Sequence, residues 1–147
     1  MSKPISLKIL TPEKIIYQDE VLKVNIPTES GEIGILPDHA PLVSIIKPGE
    51  IRIEKKSNEI VSLSVDTGIL EVRPSSHQNN INSEIIILAS TSELASDIDI
   101  KRAEEAYERA KKAMEESDNL SDVDFARFQA MVDKELNRIK IGKKYKK

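Results

Sequence analysis

The side chains with the best spacing for chemistry are charged residues on two segments of helical pattern near the carboxyl end. Asp99 and Arg102 are three residues apart, and Arg109 lies two turns beyond Arg102. On the second segment Lys134 and Arg138 are four residues apart, so they share one helix face. If the two segments fold back on each other the cations converge, and a triphosphate needs such charge-assisted contacts. The alternative is two solvated helix faces with surface ion pairs worth roughly 0–1 kcal/mol each.

The chain offers few residues for other kinds of catalysis. It has two histidines and no cysteine, and its five glycines form neither a phosphate-binding loop nor a dinucleotide-binding turn. We therefore expect no catalytic residue and no metal site, and the absence of cysteine fits a reducing compartment. His39 carries an imidazole, a common general acid or base in enzymes. Because no partner has catalytic spacing, we interpret it as part of an interaction surface.

Two amphipathic segments must position the charged residues. Residues 97–114 and 122–139 each place apolar side chains at helical spacing, and the residues between them have the composition of a turn. Alanines line the first segment, whereas Phe128, Val132 and Leu136 line the second. A short connection makes two helices antiparallel neighbours. The sequence therefore predicts a two-helix hairpin domain with a basic tail over residues 92–147.

The pattern before residue 91 is different, because short β-branched segments alternate with turn signals. Nine such segments lie between residues 5 and 88, among them Lys14–Tyr17, Val21–Ile26 and Ile85–Leu88. Many short strands at this spacing indicate an antiparallel sandwich or barrel, which we place at residues 1–91. A polar run over residues 74–83, which includes His77, interrupts the last hairpin and is interpreted as an exposed insertion.

The net charge of −3 conceals an uneven distribution along the chain. Residues 91–137 carry a net charge of −6, and residues 138–147 carry +6. A basic tip on an acidic segment indicates an acidic protein partner or an intramolecular clasp, and a solvated tail is the alternative. We expect no nucleic-acid partner, because the basic run has one aromatic residue and follows an acidic domain. No apolar run approaches the length of a membrane span, and the first residues lack a signal-peptide pattern, so we expect no direct membrane insertion.

The stretch GEIGILPDHAPLVSIIKPGE at residues 31–50 resembles the signature of the epsilon subunit of F-type ATP synthases. Gly68-x-Leu70-Glu71-Val72 and Ile87-Leu88-Ala89 also match, and the similarity covers residues 5–73 and, less strongly, 85–138. The resemblance implies a β-sandwich of about ten strands followed by an antiparallel helical hairpin. It implies a non-catalytic subunit whose sandwich binds the gamma subunit and the c-subunit ring and couples proton or sodium flow to ATP synthesis.

The resemblance also implies regulation and a location. The hairpin would inhibit ATP hydrolysis, and the subunit would be peripheral on the cytoplasmic face of the inner (cell) membrane, although the sequence does not separate a bacterial member from a plastid one. Glu32 and His39 lie in the loop expected to face the c ring. The basic residues expected to meet acidic surface on the alpha and beta subunits are Arg138, Lys140, Lys143 and Lys144.

A regulatory nucleotide is a further implication of the resemblance. Residues 98–103 match the Ile-Asp-x-x-Arg-Ala motif with which some bacterial members bind ATP. Carried over position by position, the implied site is Glu93, Ile98, Asp99, Arg102, Ala103, Arg109, Lys134 and Arg138. Lys134 stands where the family has arginine, and lysine lacks the planar fork of a guanidinium group. We therefore predict no required cofactor and a regulatory ATP of weak affinity.

Two other functions remain as alternatives to a rotor subunit. One is a free-standing nucleotide sensor that shares the fold, and the other is a scaffold that binds through its sandwich and oligomerises through its hairpin. The apolar residues Ile33, Ile35 and Leu36 favour a protein-contact surface if the fold exposes them.

Overall fold

The structure is a computed structural model that describes residues 3–74, 83–117 and 119–146. The chain divides into two units, Met1–Leu94 and Ala95–Lys147. Strands make up the first unit and helices the second. The predicted polar insertion, with His77, falls almost wholly on residues 75–82, outside the described residues. Its flanking residues Pro74 and Ser83 belong to paired strands.

The described part of the first unit contains nine strands rather than ten. They are β1 (Ile5–Leu10), β2 (Ile15–Thr28), β3 (Gly31–Ile35), β4 (Leu42–Ile46), β5 (Gly49–Lys55), β6 (Ile60–Val65), β7 (Gly68–Pro74), β8 (Ser83–Ala89) and β9 (Ser92–Leu94). The two strands expected on either side of Gln18 and Asp19 are one strand, because these residues pair with Lys8 and Leu7 of β1. The strand β9, which pairs with β6, was not predicted from the sequence.

The long strand β2 connects the two parts of the sandwich. Its first half pairs with β1, and its second half pairs with β3 and β5. The order β1-β8-β7-β4 continues on one side of it, and β5-β6-β9 on the other. The expected antiparallel arrangement holds except for β1 and β8, which are parallel. Because β2 takes part in both halves, the strands enclose one core.

Aliphatic side chains fill this core, as the low aromatic content requires. Ile5, Leu7 and Ile9 of β1 are fully buried, with the residues between them more exposed, which is the alternation of a strand with one face on the core. Glycine allows the tightest approach at one corner. A Cβ at Gly68 would collide with the carbonyl oxygen of Leu88 on β8, so only glycine fits this strand pair.

The second unit is a helical hairpin. A single 3-10 turn, Ala95–Asp97, leads into α1 (Ile100–Glu116), and α2 spans Asp122–Lys144. The first helix begins three residues later than predicted, because Asp99 is its N-cap, and the second continues five residues further. The Nζ atom of Lys143 lies 3.3 Å from Oε1 of Glu104. This contact joins the end of α2 to the beginning of α1, so the helices are antiparallel.

Candidate functional site

The nucleotide motif lies at the start of α1, and most of its residues have a structural role. The Oδ1 atom of Asp99 accepts a hydrogen bond from the backbone N–H of Arg102 at 3.0 Å, which caps the helix. Ile98 is buried in the apolar cluster of the hairpin, and Ala103 is fully buried. The side chain of Arg102 is exposed. The motif therefore stabilises the hairpin and leaves a cation at its surface.

The other predicted nucleotide contacts are distributed over both units. Arg109 is exposed on α1, Lys134 is half-buried on α2, and Glu93 lies in β9 of the sandwich unit. The Nη1 atom of Arg138 lies 2.8 Å from Oε2 of Glu135, and these side chains are only 20% and 13% exposed. A ligand phosphate at Arg138 would meet a guanidinium group that already has a carboxylate partner. ATP binding by these residues stays a prediction.

The structure forms a cleft beside the motif, which the sequence did not predict. The cleft has a volume of about 670 Å³ at the corner where the 3-10 turn, the start of α1 and the end of α2 meet. Its lining residues are Ala95, Ser96, Ile98, Asp99, Ile100, Lys101, Gly142, Tyr145 and Lys146. The only available signal was the basic tip, because the contact between residues more than 40 positions apart depends on the closed hairpin.

The basic tail carries intramolecular contacts in the folded hairpin. Lys143 pairs with Glu104 across the helices, and Nζ of Lys144 lies 5.2 Å from the ring centroid of Tyr145. Lys140 is exposed. Part of the positive charge predicted to meet the alpha and beta subunits is therefore already engaged within the hairpin, and the predicted contact with those subunits stays a prediction.

The signature loop follows β3, and local hydrogen bonds hold it. His39 donates its backbone N–H to the carbonyl oxygen of Leu36 at 3.2 Å, and its Nδ1 lies 2.7 Å from the carbonyl oxygen of Ala40. Glu32 is exposed on β3. Three apolar residues favour a contact surface here on the condition that the fold exposes them. Leu36 meets the condition and Ile33 is partly buried. Ile35 is fully buried in the core, so it does not contribute to such a surface.

Apolar side chains form a row on the outer face of the sandwich, which we call the aliphatic row. It crosses five strands, because the pairs Ile15–Leu10, Leu10–Leu88, Leu88–Ile69 and Ile69–Ile45 lie directly opposite each other. Ile15 is 49% exposed, Leu88 is 53% exposed, and Ile69 and Ile45 are each 52% exposed. Opposite residues in paired strands are neighbours on one face, so these side chains form a continuous apolar surface.

The sequence carries a signal for this row. Antiparallel strands with one solvated face show alternation of apolar and polar residues, whereas β4 reads LVSII and β8 contains IIIL. A nearly continuous apolar run indicates a strand with apolar residues on both faces. In this fold the inner face is the core and the outer face is exposed.

Neither a metal site nor a membrane span emerges from the described residues. Within residues 3–74, 83–117 and 119–146 no group of three or more His, Cys, Asp or Glu side chains could hold a metal ion. In the same parts of the chain, no helix is long and apolar enough to cross a membrane.

Two family models match nearly the whole chain. The model of the ATP synthase, Delta/Epsilon chain, beta-sandwich domain matches residues 4–95, and that of the long alpha-helix domain matches residues 96–143. An ATP synthase epsilon chain of Desulforamulus reducens is 37% identical over 140 residues, which are 95% of this chain and 98% of the relative. One of Chloroflexus aggregans is 38% identical over 143 residues, 97% of this chain and 95% of the relative.

Solved structures show the same fold at lower identity. A chain in the structure of the Euglena gracilis mitochondrial ATP synthase, OSCP/F1/c-ring, has a TM-score of 0.72 at 20% identity, and the match covers 93% of this chain and 80% of that one. A chain of the Tetrahymena thermophila mitochondrial ATP synthase central stalk and c-ring has a TM-score of 0.59 at 11% identity, with 97% and 96% covered.

Proposed function

Because the chain belongs to the ATP synthase delta/epsilon chain family, we propose that it is the epsilon subunit in the central stalk of an F-type ATP synthase. In this role the sandwich links the gamma subunit to the c-subunit ring and so couples ion-driven rotation to ATP synthesis. In this role the chain is a non-catalytic subunit of the complex. Family membership favours this role over a free-standing nucleotide sensor or a scaffold.

The observation that carries the proposal is the aliphatic row, which we assign to the gamma subunit. Burying an Ile or Leu side chain fully stabilises a complex by about 1.5–3 kcal/mol, so burying the exposed half contributes about 1 kcal/mol for each of them. Ile15, Leu88, Ile69 and Ile45 together provide enough apolar area for the centre of a stable interface. The row lies on paired strands, which hold it rigid before binding and reduce the entropy cost of association.

We assign the signature loop to the c ring. His39 within the loop and Glu32 on the preceding strand β3 present polar groups, and Leu36 adds an exposed apolar side chain. A mixed polar and apolar surface of this kind is typical of an interface rim. Binding to the ring would keep the subunit at the cytoplasmic face of the cell membrane as a peripheral protein. The structures similar in fold include one described as OSCP/F1/c-ring, which supports this assignment.

We assign regulation to the hairpin. When the hairpin opens, the basic tail with Lys140, Lys143 and Lys144 would meet acidic surface on the alpha and beta subunits and inhibit ATP hydrolysis. A regulatory ATP held near Asp99 and Arg138 would favour the folded hairpin, because a ligand that binds one state shifts the population toward it. Calorimetric titration of the chain with MgATP tests this, and the absence of heat at millimolar ligand would remove ATP from the proposal.

The gamma assignment is tested by one substitution with a matched control. Ile69→Asp puts a carboxylate into the centre of the aliphatic row, and Ile60→Asp makes the same change at an equally exposed isoleucine, 51%, on β6 outside the row. A central interface residue costs 2 kcal/mol or more when lost, so we expect Ile69→Asp to weaken binding to a gamma-containing catalytic sector about thirtyfold. Equal weakening by both variants would refute the assignment.

Regulation is tested with an epsilon-depleted catalytic sector from a matched source. Full-length chain should bind gamma and inhibit ATP hydrolysis, whereas a form that ends at Leu94 should bind gamma without inhibiting. The cut is placed after Leu94 because β9 is part of the sandwich. Binding of both forms without inhibition by either would leave the coupling role and refute the regulatory one. If neither form bound gamma, the assignment as a rotor subunit would fail.

A further inference from the structure

Gly142 is out of place in a helix. The other four glycines of the chain lie in strands, and Gly142 lies in α2. Glycine in a helix interior costs about 1 kcal/mol relative to alanine, because the backbone loses more conformational freedom. It lies three residues before the C-cap Tyr145 and has a helical residue on either side, so it does not end the helix. Its presence therefore needs an explanation in the packing of the hairpin.

The explanation is a close contact with the beginning of α1. A Cβ at Gly142 would lie 2.9 Å from Cγ1 of Ile100 and 3.1 Å from Cγ2 of Ile98. The first distance is shorter than real Cβ contacts, and the second is unusually tight, so the isoleucine side chains would have to shift. Without a side chain, Gly142 lets the last turn of α2 pack against this corner, and Ile141 and Tyr145 on either side join the same apolar cluster.

Smaller side chains form the rest of the helix–helix interface that the structure describes. Apart from this cluster, its buried apolar residues are Ala103, Ala110 and Val132, and the larger apolar side chains between the helices are only partly buried. The ion pair between Lys143 and Glu104 joins side chains that are about half-exposed, and such pairs contribute roughly 0–1 kcal/mol. The docking of the last turn therefore depends largely on the contact that Gly142 permits.

We propose that residues 141–145, the last turn of α2, form a glycine-dependent latch that closes on the 3-10 turn and the start of α1. The latch can open while the middle of the hairpin stays packed, because its cluster of Ala95, Ile98 and Ile141 is separate from the alanine contacts further along α1. Opening exposes the cluster and releases Lys143 from Glu104. This deepens the regulatory part of the proposed function, since the released tail is the segment assigned to the alpha and beta subunits.

The test is hydrogen exchange on the full-length chain with Gly142→Ala. The new methyl group fits only if the side chains of Ile100 and Ile98 shift, which weakens the docking of the latch. Exchange at the backbone amides of Ile98 and Ala103 should therefore rise about tenfold, or about 1.4 kcal/mol. These amides bond to Ala95 and Asp99 at the corner that the latch covers. Alanine also favours the helix, so exchange in the middle of α2 should not rise. Unchanged exchange at Ile98 and Ala103 would refute the latch.

A second substitution separates the contact from general loss of stability. Ile100→Ala removes Cγ1, the atom nearest to the new methyl group. In the Ile100→Ala background, Gly142→Ala should therefore raise exchange by less than half as much as it does in the native chain. An undiminished effect would refute the contact, because residues that touch are not additive. If Gly142→Ala unfolds the whole hairpin, Ile141→Ala replaces it as the test, because it removes apolar contact area from the latch without a clash. Exchange at the same two amides should rise in this variant as well. None of these measurements needs ATP synthase, so their failure leaves the inhibition assay as an independent test.

Discussion

The N-cap of α1 provides a prediction with a magnitude that follows from the structure. Asp99 has extended backbone dihedral angles, and its Oδ1 accepts the N–H of Arg102 at 3.0 Å. Loss of such a cap costs about 0.5–2 kcal/mol, and loss of a negative charge at a helix N-terminus costs about 0.3–1 kcal/mol more. Asp99→Ala should therefore destabilise the start of α1 by about 1–2 kcal/mol, which is about a five- to thirtyfold change in local opening.

Asp99→Asn separates the two contributions. Asparagine caps helices about as well as aspartate but carries no charge, so only the smaller dipole contribution is lost. The expected order of stability is native chain first, Asp99→Asn close behind and Asp99→Ala clearly lower. A nucleotide contact to the carboxylate would instead make the two substitutions equally harmful to ATP binding.

The assay is hydrogen exchange on the full-length chain without nucleotide, read at the amides of residues 103–107. Ser121→Ala is the matched control, because Ser121 caps α2 by accepting the N–H of Asp124 at 3.1 Å. Its effect should stay at the start of α2. The reasoning is refuted if Asp99→Ala leaves α1 unchanged, or if Asp99→Asn opens α1 as much as Asp99→Ala does. Loss of ATP binding in Asp99→Ala alone would not identify a ligand contact, since the substitution also damages the hairpin.

Three further predictions concern the sandwich. Gly68→Ala should destabilise it by about 1–3 kcal/mol in denaturant unfolding, because the methyl group would overlap the carbonyl oxygen of Leu88; Gly34→Ala, with no atom closer than 3.2 Å, should cost less. Burial, with a smaller contribution from the neighbouring carboxylate, raises the pKa of Tyr17 from 10.0 to about 12. The folded state therefore holds the phenol proton to higher pH than the unfolded state does. The stabilisation that this provides is complete below pH 10 and is lost between pH 10 and about 12. Phenolate absorbance should show a late titration that Tyr17→Phe abolishes. Thr28→Val should lower the free energy of unfolding by about 1–3 kcal/mol, because the buried hydroxyl donates a 2.6 Å hydrogen bond to the carbonyl oxygen of Gly31. An unchanged free energy of unfolding would contradict this role.

Local patterns in the sequence predicted most of the sandwich, because strand alternation and turn residues act over a few positions. The errors fall where pairing at long range decides the outcome. Gln18 and Asp19 have the composition of a turn, but hydrogen bonds to β1 keep them in a strand. The strand β9 has three residues, too few for any pattern, and its position is set by pairing with β6. The parallel pairing of β1 with β8 likewise depends on the order of strands in the whole sheet.

The candidate sites divide in the same way. The capping role of Asp99 follows from a local rule, since aspartate before a helical segment is a typical N-cap. The partner of Arg138 also follows from a local rule, because Glu135 lies three residues before it on the same helix face. The partner of Lys143 does not, because Glu104 is brought to Lys143 only by the antiparallel arrangement. The cleft and the contact of Gly142 arise from the same closure of the hairpin, so no pattern in the sequence predicted them.

The two units distribute stability in a way that suits the proposed division of labour. The sandwich buries a large aliphatic core with long strands, so a binding surface on its outer face stays fixed while the rotor turns. The described part of the hairpin buries two alanines, one valine and one small cluster, so we expect a low free energy of opening, as the proposed switching by a ligand or a partner requires. A regulatory element with a core like that of the sandwich could not be switched by a few kcal/mol of binding energy. The low aliphatic content of the hairpin therefore fits the regulation proposed above, and the contact at Gly142 lies where that proposal releases the basic tail.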